Sequence, residues 1–180
     1  GQRLNDIAQA SWSEIDFDKK TLTVPAARFK SDRDHVLPLT DDVVAILEGV
    51  ARWKNCPWVF SLDGKVPATI GHKVKGRLDE KMLAALREAT GDDEAEIAPW
   101  VNHDLRRTVR TRLSELDVLD EVAEAVIGHM PTKLNRTYNH SDRLRVKKEA
   151  LTRWQGALRS ILRKSEDDNV VRLDERREMA

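Results

Sequence analysis

The sequence predicts an α+β fold that is mostly α: a helical body with a small three-stranded antiparallel sheet near the N-terminus. Short β-rich runs separated by polar turns crowd the first forty residues, and apolar residues at helical spacing take over from residue 41. Residues suited to helix caps and stops punctuate that second stretch.

In chain order, Gly1 to Ala10 reads as part of a helical element without a start signal, so an N-terminally truncated piece of a longer protein is expected. Trp12 to Phe17 and Thr21 to Val24 flank the polar turn Asp18-Lys19-Lys20 and predict a hairpin. His35 to Leu39 predicts a third strand, reached through the loop Ser31 to Asp34. Thr40, with Asp41 and Asp42, is expected to cap a helix carrying Val43, Val44, Ile46, Leu47 and Val50. A connection follows from Asn55 to Gly64, then a helix over Lys73 to Ala89 and an acidic loop from Gly91 to Glu96. His103 to Leu116 predicts another helix. Asp117 is expected to cap Val118 to Ile127, which Gly128 stops and Pro131 keeps stopped. Ser141 opens a long amphipathic helix with Leu144, Leu151, Trp154, Leu158 and Ile161 on one face. Two units result, residues 1–164 and a charged tail, 165–180.

Composition bounds the function. The 180 residues, 40% hydrophobic and 34% charged, suffice for one domain with its own core and exclude a disordered chain. No apolar run approaches the roughly 20 residues that span a bilayer, and no signal peptide opens the chain. The single cysteine, Cys56, excludes an internal disulfide framework and a cysteine-based zinc site, so a cytoplasmic setting is expected. Net charge is zero but unevenly spread: Trp100 to Lys164 holds 14 basic against 8 acidic residues, while both flanks are acidic. A basic segment of this kind suits a polyanion on one face.

Chemistry concentrates in that segment. Tyr138 is the only tyrosine; a structural tyrosine is the commoner explanation of a lone Tyr, but here its neighbours are Asn135, Arg136, Thr137, Asn139 and His140 rather than apolar residues. In His103-Asp104-Leu105-Arg106-Arg107-Thr108, helical spacing puts His103 and Arg106 on one face, which Arg110 continues, with Leu105 and Val109 turned to the core. An imidazole beside a guanidinium can grip one phosphate, and a solvated basic face explains the same residues equally well. His129 follows Gly128 at a helix end, nine positions before Tyr138.

Taken together, Gly1-Gln2-Arg3, Lys30 in the hairpin loop, HDLRRT, Ile127-Gly128-His129 and Tyr138 resemble the tyrosine recombinase (phage integrase) family. Its pattern is an Arg, a hairpin Lys, His-x-x-Arg, Gly-His, and a Tyr nine residues later. The resemblance spans residues 1–161, and over Tyr138 to Trp154 it is similar to prophage integrases in particular. Asp6 stands where the family commonly has Glu, and the family's separate N-terminal DNA-clamping domain is expected to lie outside this chain.

The resemblance implies a site-specific recombinase that cuts and rejoins double-stranded DNA through a 3′-phosphotyrosine, without metal, ATP or other cofactor. Tyr138 would attack the phosphorus, Arg3 and Arg106 would clamp the non-bridging oxygens, and Lys30 would protonate the departing 5′ oxygen. His103 would take the tyrosine proton or bind the phosphate, and His129 would hold a non-bridging oxygen. Arg107, Arg110, Arg112, Lys133, Arg136, Arg143 and Arg145 are further candidates for DNA phosphate contacts. A homo-oligomer on DNA, a tetramer, with accessory DNA-bending proteins, is the implied assembly, and the Val170-Val171-Leu173 cluster of the tail could dock on a neighbouring protomer. Two readings compete: a type IB topoisomerase using the same residue types, and a catalytically silent DNA-binding module.

Overall fold

The computed structural model describes residues 1–30, 33–129 and 140–167, with side chains placed for all of these except 140–142 and 164–167. Six α-helices occur among the described residues: α1 (Leu4–Ala8), α2 (Asp41–Glu48), α3 (His72–Thr90), α4 (Asn102–Glu115), α5 (Asp120–Val126) and α6 (His140–Asp167). Strands β1 (Ile15–Asp16), β2 (Thr21–Val24) and β3 (His35–Pro38) form one antiparallel sheet in that order. None of the described helices is long and apolar enough to cross a membrane.

Alternation sets the sheet. Leu22 and Val24 of β2 are buried, and so are their cross-strand partners Leu37 and His35 on β3. The first expected strand is shorter than its β-rich sequence suggests, because Trp12 to Glu14 forms a 3-10 turn. The backbone there pairs elsewhere: Trp12 N–H donates to the Pro57 carbonyl at 2.8 Å, and Val59 N–H to that of Ala10 at 2.9 Å. Under the sheet lies one core of Ala10, Leu22, Leu37, Leu39, Leu47 and Val59. The second core is helical, joining Val109 and Leu113 of α4, Val122, Ala123, Ala125 and Val126 of α5, and Ala150 of α6.

Helix ends differ from expectation in instructive ways. Thr40 occupies the N-cap position of α2, but its side chain makes no capping hydrogen bond. Asp41 and Asp42 complement the helix dipole there, and they pair with Lys20 and Arg159 respectively. Asp117 does not cap α5; it adopts a left-handed backbone (φ 56°) that terminates α4, and α5 starts three residues later. The apolar stripe of α6 is also only partly used. Leu151 and Trp154 pack on the helical core, whereas Leu158 and Ile161 are exposed. Helix α3 buries none of its nineteen residues.

The two cores meet where α6 crosses β3. Lys147 of α6 is buried, and its Nζ donates to the Val36 carbonyl at 2.8 Å. Burial, and secondarily the Arg143 charge, pulls this amine down to about 8.

Candidate active site

Arg3 precedes α1 in an extended backbone, its guanidinium 4.9 Å from the centroid of the Phe29 ring. Its Nη1 lies 3.7 Å from the buried Asp6 carboxylate, one helical turn on. The shorter Asp therefore still neighbours the arginine that it would orient. Arg106 shares the inward face of α4 with Val109 and Leu113 and is only 5% exposed. Leu105, expected in the core, is instead exposed on the cleft wall, since Arg106 takes the inward position.

Arg106 Nη1 donates to the Gly1 carbonyl at 3.1 Å. By contrast, Arg106 Nη2 and Arg3 Nη1 are buried with no hydrogen-bond partner among the described residues. Burial and then the Arg3 charge lower the Arg106 pKa, though a guanidinium stays ionised. A buried N–H without an acceptor costs about 1–3 kcal/mol, and bringing two cations together adds to that. This arrangement is costly unless an anion joins it.

Both arginines line an open cleft of about 960 Å³, together with Lys30 and His103. Ile70, Val74, Leu78 and Leu105 form its apolar wall. Lys30 is presented from the loop after β2 because the residue before it, Phe29, is anchored at 3% exposure. The Asp34 carboxylate accepts from Ala26 N–H at 2.9 Å and closes that loop from its far side. Four of the six residues expected to be catalytic therefore share one cleft.

Phe29 is also the hub that registers the remaining pieces. His35 stacks on it at 4.6 Å, and the His35 Nε2 lies 3.1 Å from the Gln2 Oε1. Gln2 Nε2 donates in turn to the Val126 carbonyl of α5 at 2.8 Å. Burial, then the Lys147, Arg106 and Arg3 charges, pushes the His35 imidazole down to about 3, so it is neutral at ordinary pH. Gly128 closes the group from the end of α5. It has φ 82°, and a Cβ there would sit 2.6 Å from Phe29 Cζ and 3.2 Å from His35 Nε2. The Gly-His pair thus needs its glycine twice, for a left-handed backbone and for a close approach. Gly128→Ala is expected to cost about 1–3 kcal/mol from the backbone alone, read as a lower urea midpoint; an unchanged midpoint would show that the approach is relaxed.

Gly128 and His129 complete a Schellman turn, with Gly128 N–H donating to Ala125 and His129 N–H to Glu124. His129 is exposed, and its Nδ1 meets Glu124 Oε2 at 2.7 Å. Arg110 holds the other oxygen of Glu124 at 2.6 Å and also reaches Asp120 and Ser114, so its guanidinium is engaged within the protein. Arg107, Arg112 and Arg145 are exposed, in local pairs with Asp104, Glu115 and Glu149. Such surface pairs are worth at most about 1 kcal/mol and exchange easily for phosphates. Arg143 lies half-buried on α6. Tyr138, Lys133 and Arg136 lie outside the described residues, as does the tail beyond Asp167. Among the described residues, no group of three or more His, Cys, Asp or Glu side chains is placed to hold a metal ion.

Sequence reasoning passed over Gln2, Phe29, His35, Glu124 and Lys147. Phe29 left one faint signal, an isolated aromatic in an otherwise small and polar loop.

The chain is 31% identical over 150 residues to prophage integrase IntA of Escherichia coli, covering 83% of this chain and 34% of that protein. It is 26% identical over 139 residues to prophage integrase IntF of Escherichia coli, covering 74% and 27% respectively. It is 21% identical over 153 residues to the integrase of Shigella phage Sf6, covering 84% and 37%. The chain thus spans about a third of the length of the curated relatives it matches. The phage integrase family model matches residues 1–145, a span that takes in the whole Arg3–Lys30–His103–Arg106–His129–Tyr138 series, and the chain belongs to that family.

Proposed function

We propose that this chain is the catalytic part of a DNA strand-exchange enzyme, cutting and rejoining double-stranded DNA through a phosphotyrosine at Tyr138. The observation that carries the reading is the pair of buried guanidinium nitrogens with no hydrogen-bond acceptor among the described residues, Arg3 Nη1 and Arg106 Nη2, at a cleft that also presents Lys30 and His103. A scissile phosphate supplies the missing acceptors. Its non-bridging oxygens gain charge as the nucleophile attacks, so donors fixed in advance favour the transition state over the ground state.

In this mechanism the Tyr138 oxygen attacks phosphorus, the bond to the 5′ oxygen breaks, and Lys30 supplies that oxygen with a proton. His103 accepts the tyrosine proton or binds the phosphate, and His129 holds a non-bridging oxygen. The phosphodiester energy is kept in the covalent link, so rejoining reverses the same steps without ATP. Family kinship with prophage integrases supports integration or excision of a mobile element, in the bacterial cytoplasm where its target DNA lies. Recombination requires two DNA duplexes and therefore several protomers; we assign a homo-tetramer on DNA, aided by DNA-bending proteins. Arg107, Arg112, Arg145 and Arg143 are the described candidates for phosphate contacts along the duplex.

The test is a suicide duplex nicked so that the cleaved strand cannot be rejoined, incubated with this chain and with the longest form of the protein that carries it. A covalent adduct forming without Mg²⁺, and mapped by mass spectrometry to the peptide containing Tyr138, is the expected result. An adduct on another residue would overturn the nucleophile assignment, and no adduct from the longest form on its own site would favour a silent DNA-binding module.

A further inference from the structure

Beside the cleft, the end of α5 carries a hydrogen-bonded chain that the arginine clamp does not require. Arg110 Nε donates to Glu124 Oε1 at 2.6 Å, and Glu124 Oε2 lies 2.7 Å from His129 Nδ1. The same two residues are joined a second time through the backbone, His129 N–H to the Glu124 carbonyl at 2.8 Å. This two-point attachment separates the pair from an ordinary surface ion pair, in which two free side chains merely meet.

The charges decide the tautomer. Burial pushes the Glu124 carboxyl up, but the hydrogen bonds from Arg110 and His129 outweigh it and hold the group below its usual value. The ionised carboxylate can only accept, so the hydrogen between the two groups sits on His129 Nδ1. With Nδ1–H committed, the neutral ring would present a lone pair at Nε2 and repel a phosphate oxygen. Only the doubly protonated ring can donate from Nε2. Among the described residues, the other charged groups around the pair are Arg110 from α4, Asp120 from the first turn of α5, which binds Arg110, and Arg106 deeper in α4.

We propose that Glu124 is a positioning residue for His129: anchored by Arg110, it fixes the imidazole and commits Nδ1–H, so that Nε2 meets the scissile phosphate as an imidazolium donor. The proposal deepens the functional reading above and rests on it for the role of His129, but not for the state of the ring.

The experiment follows the ring nitrogens of the five histidines by ¹⁵N NMR in this chain, with His129 assigned through His129→Gln. In the unsubstituted protein, Nδ1 of His129 stays protonated between about pH 6 and 9, the neutral ring being the Nδ1–H tautomer. In Glu124→Gln, Arg110 can only donate and so takes the amide oxygen, which turns the amide NH₂ toward Nδ1. The neutral ring then switches to the Nε2–H tautomer, and the second proton is lost at lower pH. Adduct formation on the suicide duplex slows by roughly 10- to 100-fold, by comparison with carboxylates that orient metal-bound histidines, and its alkaline decline moves to lower pH. An Nε2–H tautomer already present in the unsubstituted protein, or ring nitrogens and pH profile unmoved in Glu124→Gln, would overturn the proposal. A slower but pH-unshifted variant would do the same, since it would mark Glu124 as merely structural. If the unsubstituted protein formed no adduct at all, the functional reading would fail, and the nitrogen spectra would still decide the state of His129.

Discussion

Arg106→Ala slows covalent adduct formation at saturating DNA by about 10²- to 10³-fold, the range found when one donor to a developing oxyanion is removed. The size of the effect follows from the position of the side chain. Arg106 is fixed in the inward face of α4 by its bond to the Gly1 carbonyl, and its Nη2 has no acceptor among the described residues. Nothing need reorganise when the phosphate arrives, so the interaction is spent on the charge that builds in the transition state. Duplex affinity falls far less, because one phosphate contact is lost among several. Arg106→Lys recovers only part of the rate: an ammonium restores a point charge but not the planar fork that spans two oxygens. The fold is expected to persist, since the substitution removes a buried cation that lies close to Arg3. Single-turnover adduct assays, with urea denaturation beside them, measure both effects. A rate within a few-fold of the unsubstituted protein would show that Arg106 does not face the reacting phosphate.

Acid should unfold this protein largely through one histidine. His35 is 3% exposed and is pushed down to about 3 by burial and by the Lys147, Arg106 and Arg3 charges. In the unfolded chain the same ring titrates near its usual value of about 6.5. Between those two values the unfolded state binds the extra proton and the folded state does not, so stability rises with pH across the window. The contribution is fully present above about 6.5 and is lost as pH falls toward about 3, an amount on the order of 4–5 kcal/mol. That is comparable with the whole stability of many domains. Urea midpoints for the unsubstituted protein and His35→Gln, compared at about pH 7, 5 and 4, isolate the term from the carboxylates. His35→Gln is expected to be less stable at neutral pH, having lost the stack on Phe29, yet to lose much less on acidification. Parallel pH dependence in the two proteins would refute the assignment.

What the sequence made legible is local, and what it hid is long-range. Alternation in Thr21 to Val24 and His35 to Pro38 announced β2 and β3, and HDLRRT was read correctly as helical. The same local reading erred at Asp117, where an Asp before an apolar run looks identical whether it caps the next helix or ends the previous one. It erred at Leu158 and Ile161 because periodicity reveals a stripe without revealing how far the partner surface extends. Arg106 shows the limit most clearly. Helical spacing put it beside His103, but its burial depends on the Gly1 carbonyl, 105 residues away. Gln2 reaches Val126 across 124 residues, and no motif in either segment announces that contact. The candidate site residues could be named because their types, order and spacing resemble a family pattern. The groups that contact them, Phe29, His35 and Glu124, follow no such pattern and became visible only in three dimensions.

Lys147 gives the site a common datum. The helix that carries it begins two residues after Tyr138, and its amine is pinned to β3, the strand into which the Lys30 loop returns. Lys30, the proposed proton donor, and α6 are thus both referenced to one strand, though Lys30 and Lys147 are 117 positions apart in the chain. A push on the hairpin would be felt at Lys147 in α6, and a pull on α6 would be felt at the hairpin.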